Sequence, residues 1–370
     1  MPANEKARQK TSFKALLKKP WFIGGIVAVV VIAVAVTAFA LTRPAPVEPP
    51  APEKPIVIDD TPKPPPEPAP IVFPLTGLPA PDKAATLNRT LSVKIENTPV
   101  ARPQTGISSA DVVYETVTEG GITRLNCLFQ SRVPEEVGPV RSARLSDLSI
   151  VPEYDALFFF SGANPYVEGQ IADAGLPNMS HGQTSSLYYR VDYREAPHNL
   201  YLSLAQSYGV ATEKGLSTTL ETPRGFEFSS NGADGTNPAW ATAPSAANVT
   251  LGFSDAYVAE WAWDAEAGAY LRSMDGPSID AATDEQLAAT NVVVLRTSYV
   301  LSPDNLTLFI DLKGEGEATL FVGGKRLDGT WESDGTTPPR FKDASGNPIL
   351  LNPGTTWFEV LDPAWSMTIS

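Results

Sequence analysis

The chain has 370 residues, 42% of them hydrophobic, enough for two ordinary domains with real cores. Its formal net charge is −14. Residues 1–20 hold six basic side chains against Glu5, a net +5, so the remainder carries −19, which repels nucleic acid and anionic lipid at long range. The single cysteine, Cys127, excludes an intrachain disulfide, and its apolar setting, LNCLF, reads as an inert core thiol.

Residues 1–20 form a basic tail. Residues 21–41 read WFIGGIVAVVVIAVAVTAFAL without a charge, long enough to cross a bilayer core of about 30 Å as a helix. Lysines crowd its N-terminal side, so the positive-inside rule places the N-terminus in the cytoplasm and the body outside. Two fates stay open: an uncleaved anchor, or cleavage after the small-x-small run Ala38-Phe39-Ala40. The length of the run favours the anchor. Residues 42–72 hold proline-rich segments such as RPAPVEPPAPEKP and TPKPPPEPAP, which suit an extended polyproline stalk.

The expected fold is α+β: an N-terminal α/β domain at 73–223, then a mainly antiparallel β domain at 224–370. In the first, 91–97, 111–117, 122–130 and 156–160 pattern as strands. Glu119-Gly120-Gly121 reads as a hairpin turn. A helix is expected to open at Ser142, another at 166–173, and helical patterning returns over 200–214. In the second, short β-branched or aromatic runs at 249–253, 257–263, 270–272, 292–299, 306–310, 318–322 and 356–360 read as strands. Tyr257, Trp261 and Trp263 alternate, as cross-strand packing does.

LSVKIENTPVARPQTGISSADVVYE, EGGITR, GPVRSAR, APHNLY and NPGTTW together resemble the YerB-like family of bacterial envelope lipoproteins, built around a domain of unknown function. The resemblance spans residues 73–370. It implies an extracytoplasmic protein linked to cell-wall synthesis or remodelling, and it brings no accepted reaction. Family members are commonly lipid-anchored, whereas here no cysteine follows the apolar run closely.

The chemistry concentrates in residues 91–147, where an acidic chain gathers its arginines. Arg141 and Arg144, three apart at an expected helix start, would share a face beside free helix N–H groups and make an anion site. Arg102 and Arg124 could join them, with Glu96 and His198 at the same cleft. The bland alternative is that these arginines only pair with Glu96, Glu115, Glu119 or Asp147. The functional expectation is a membrane-anchored envelope protein that binds an anionic cell-wall polymer or an envelope protein through this Arg/Glu cleft. A glycan-cleaving enzyme using Glu119 or Glu115 as acid/base is the runner-up; nearby arginines weigh against it by favouring the ionised form. No cofactor, metal or nucleic acid is expected. Two histidines, His181 and His198, without a ligand cluster do not make a zinc site.

Overall fold

A computed structural model of the protein describes residues 20–42, 70–229 and 239–370. The chain divides into two units, Met1–Glu67 and Pro68–Ser370. In the first, a charge-free helix of 23 residues spans Pro20–Thr42. The hydroxyls of Thr37 and Thr42 donate to carbonyls one turn back, at Ala33 (2.8 Å) and Ala38 (2.9 Å), so these polar side chains satisfy themselves. The residues described in full, 28–39 with 41 and 42, are exposed. Those alone contain no helix long and apolar enough to cross a membrane. The basic tail and nearly all of the proline-rich stretch lie outside the described residues.

The second unit is α+β, dominated by a ten-stranded mixed sheet. Its centre is three parallel strands, Asn291–Arg296, Thr356–Leu361 and Val112–Val117. On one side it continues antiparallel through Gly314–Val322, Lys325–Ser333, Arg340–Asp343 and Pro348–Ile349. On the other it runs through Thr123–Phe129 and Leu91–Glu96, then the parallel edge strand Leu157–Phe159. Strands from both sides of residue 223 therefore share one sheet, and the C-terminal Thr356–Leu361 pairs directly with Val112–Val117.

Both faces of this sheet are covered, so Leu91–Glu96, Val112–Val117, Thr123–Phe129 and Thr356–Leu361 are buried at every position. Side chains alternate between faces with period two. One face packs Val93, Val113, Cys127 and Trp357 against Trp261 and Leu251 of a five-stranded antiparallel sheet. That smaller sheet runs in order from Ala288–Ala289 through Ala269–Ser273, Tyr257–Asp264 and Asn248–Ser254 to Met367–Ile369. The opposite face packs Tyr114, Leu128 and Phe358 against Ile150 and Val167, carried by the helices Asp147–Glu153 and Pro165–Asp173. Each large apolar side chain buried this way contributes about 1.5–3 kcal/mol.

Local chemistry explains most element ends. Asn164 caps the helix Pro165–Asp173 by accepting from Val167 N at 2.8 Å, the role of an N-cap. Gly120 and Gly121, both at positive φ, make the turn between two buried strands. Trp263 meets its strand partner Tyr270 at 5.1 Å, so this aromatic packs across strands, while Trp261 meets Trp357 of the larger sheet edge to face at 5.3 Å. Burial pushes the Cys127 thiol up, away from reactivity. The expected helical stretch 200–214 is helical only in part: 200–202 is a strand paired with Tyr188–Arg190, and the α-helix begins only at Ser207.

Candidate functional site: an arginine-carboxylate cluster on one sheet face

In Leu91–Glu96, the odd positions join the apolar core while Ser92, Lys94 and Glu96 point to the opposite face. The register sets Lys94 opposite Asn126 and Glu96 opposite Arg124. A polar seam thus runs across a sheet that is otherwise apolar on this side.

Its inner end is closed. Lys94 Nζ lies 2.7 Å from Asp147 Oδ1, and neither side chain has any exposure. Asn126 Nδ2 donates to the same oxygen at 3.0 Å, Ser92 Oγ donates to Asn126 at 2.7 Å, and Arg144 N donates to Asp147 Oδ2 at 2.8 Å. Burial pulls the Lys94 ammonium down, and Asp147 opposes that pull. A buried pair so fully hydrogen-bonded fixes geometry more than it adds stability.

The outer end opens to solvent. Buried Glu96 accepts from His198 Nδ1 at 2.8 Å and Thr98 Oγ1 at 2.7 Å, and its other oxygen lies 3.2 Å from Arg141 Nε. Glu119 Oε2 takes Nε and Nη2 of Arg144, each at 2.8 Å. Arg124 donates to the Ser142 carbonyl at 2.9 Å and has no ion pair among the described residues. Burial, then the guanidinium groups of Arg144 and Arg141, pull its pKa down to about 9, so it stays charged at neutral pH. Three guanidinium groups face two carboxylates here. One positive charge is left over, inside a body that is strongly negative.

The arginines do not sit on a helix. The helix begins at Asp147, and 141–144 is extended, because Arg141 N donates to Lys94 O, Ala143 N to Gly162 O, and Ser161 N to Arg141 O. These bonds hold the segment as a strap along the strand Leu91–Glu96. The expected shared helical face and free helix N–H groups are therefore absent. The clustering comes from the strap and the strand register instead.

Of the residues singled out from sequence, Glu96, Glu119, Arg124, Arg141, Arg144 and His198 come together on this face. Glu115 and Arg102 do not. Glu115 lies on the opposite face without any exposure, accepting from Arg272 Nη2 (2.7 Å), Thr123 Oγ1 (2.6 Å) and Asn97 Nδ2 (3.0 Å). No glycan can reach it in this arrangement. Arg102 serves the same side: it pairs with Asp275 at 2.8 Å and its guanidinium sits 5.7 Å from the centre of the Tyr257 ring. Sequence reasoning passed over Lys94 and Asn126, which complete the seam, and Arg272 and Glu359, which seal Glu115. The polar even positions of LSVKIE were the available signal for Lys94. Among the described residues no three His, Cys, Asp or Glu side chains are grouped to hold a metal.

Comparison with known proteins agrees with this architecture. Residues 75–217 match the family model "Protein of unknown function (DUF3048) N-terminal domain", and residues 249–358 match the model of its C-terminal domain. The chain is 32% identical over 270 residues to the protein named "Putative lipoprotein YerB" of Bacillus subtilis (strain 168), covering 71% of this chain and 78% of that protein. The solved structure of YerB from Bacillus subtilis superposes with a TM-score of 0.71 at 30% identity, covering 80% of this chain and 99% of that one. Sequence and fold together make this chain a member of the DUF3048 family, the family of YerB.

Proposed function

We propose that this is a membrane-anchored envelope protein whose arginine cluster binds an anionic group, phosphate or carboxylate, on a cell-wall polymer or an envelope partner. The observation that carries the reading is Arg124: a mostly buried guanidinium without a carboxylate of its own, pressed by two others. A bound anion would supply the missing charge, held by planar forks suited to two-point contact. The lipoprotein name of its relative supports an envelope setting. In this reading the helix Pro20–Thr42 is the single-pass anchor, with the N-terminus cytoplasmic, because its N-terminal flank is lysine-rich.

A glycan-cleaving role draws less support. Glu115 is sealed, and Glu119 is already committed to Arg144.

The test is sedimentation with purified cell-wall fragments, run beside a thermal melt, on wild type and R141Q/R144Q. Glu119 is solvated, and Glu96 would keep His198 and Thr98, so the variant should melt close to wild type while binding falls. Wild-type binding should weaken with salt. A large fall in melting temperature with unchanged wall binding would assign the arginines to the fold.

A further inference from the structure

A groove of about 970 Å³ lies where the two sheets of the body end. Its walls are the Glu119–Gly121 turn, the hairpin tip at 252–258, the turn 301–308 and the segment 364–366. Its surface is largely apolar, with Phe253, Leu301, Leu306, Leu308 and Trp365 among its lining. Of ten large apolar side chains exposed among the described residues of the body, four lie in or beside it: Val258, Val300, Leu301 and Leu306. Leu301 and Leu306 are 62% and 68% exposed. A contiguous patch of this kind marks an interaction site, whereas scattered single residues do not.

The groove is built in advance. Trp365 stacks on Tyr299 at 4.8 Å, and its carbonyl accepts from Arg296 at 2.9 Å. Ser254 Oγ donates to Gly121 O at 2.8 Å and ties the hairpin tip to the turn. Leu306 is held outward by a bonded turn: its N–H donates to Asp304 Oδ1 at 3.0 Å, and Asn164 secures Thr307 at 2.7 Å. Leu301 and Leu306 are thus presented to water by ordered structure, while Leu308 packs partly against the core.

The charged residues in the lining are both acidic. Asp255 has no ion pair among the described residues, and Glu119 spends only Oε2 on Arg144. A rim of this sign repels anionic lipid headgroups and attracts cations. We propose that the groove docks a peptide segment of a partner protein that carries apolar side chains interleaved with lysine or arginine. This surface adjoins the arginine cluster, with which it shares Glu119, and takes a ligand of opposite charge.

The test uses the full chain in phosphatidylcholine nanodiscs, with empty nanodiscs as the blank. Three fluorescent twelve-residue peptides are titrated: alternating leucine and lysine, leucine and glutamate, and serine and lysine. The leucine-lysine peptide should bind at least ten-fold more tightly than either other. L301S/L306S should weaken it about ten-fold without moving the melting temperature, and D255N should weaken it less and flatten its salt dependence. Equal binding of the serine-lysine or leucine-glutamate peptide, or no effect of L301S/L306S, overturns the proposal. Displacement of the peptide by dihexanoyl phosphatidylcholine below its micelle concentration would assign the groove to lipid and also overturn it.

Discussion

Glu359→Gln should gain stability relative to wild type as pH rises. Glu359 lies in register beside Glu115 on adjacent parallel strands, and neither has any exposure. Burial, then the charge of Glu115, raises the Glu359 pKa well above the usual carboxyl range, while Arg272 and the indole of Trp261, which donates at 2.7 Å, oppose the rise. Arg272, Thr123 and Asn97 all contact Glu115, so the proton belongs on Glu359. The Tyr299 hydroxyl also feels both carboxylates, and Cys127 and Tyr257 feel Glu115. The sign follows from the direction of the shift. In the unfolded chain the carboxyl ionises near about 4.3; in the folded chain it keeps its proton. Its contribution is fully present below that value and is lost as pH rises toward the folded value. Each pH unit in that window removes up to about 1.4 kcal/mol relative to Gln, which cannot ionise. Urea titrations of both proteins at pH 5, 6 and 7 and constant ionic strength would measure the difference, and titrations common to both cancel. Stability curves that run parallel across this range would refute a protonated Glu359.

Other consequences follow from the buried polar groups and the anchor. Lys94→Met leaves Asp147 buried without its cation, which costs about 3–5 kcal/mol and should lower the melting temperature by several degrees; a shift under one degree would contradict the pair's role. Burial pushes the Glu153 carboxyl up to about 8, with the Ser333 hydroxyl opposing, so wild type should lose stability relative to E153Q as pH rises and stop losing it near pH 8. A constant gap between the two would show that Glu153 is ionised when folded. If residues 20–42 are the anchor, mass spectrometry of membrane-extracted protein should recover peptides N-terminal to Lys19; a mature N-terminus at Leu41 would show cleavage instead.

Much of the fold was legible because its buried strands are short, apolar and bounded by turn residues. The runs at 91–96, 112–117, 123–129 and 356–361 were read within a residue or two. Lys325–Ser333 was passed over, since KRLDGTWES is polar on a strand whose positions are mostly half-buried or exposed, and periodicity has little to report there. The strand at 200–202 was read as helix because LYLSL carries an apolar spacing that suits either element, and only its pairing with Tyr188–Arg190 decides. The arginine cluster was legible as a composition and illegible as a geometry. The strap that carries Arg141 and Arg144 is set by the hydrogen bonds of Arg141 N to Lys94 O and Ala143 N to Gly162 O, which local pattern cannot supply. Glu115 looked equivalent to Glu119 in sequence, yet it points to the other face. The partner that seals it, Arg272, lies 157 residues away.

Whether Arg124 is held for an anion is decided by Arg124→Gln, because this replacement breaks no ion pair among the described residues. Binding of wild type and R124Q to purified wall fragments would be measured across a salt series, with melting temperatures taken on the same samples. R124Q should keep or raise the melting temperature, since crowding by Arg141 and Arg144 is relieved, and should bind more weakly with a shallower salt dependence. A clear loss of stability with wall binding and its salt dependence intact would contradict it.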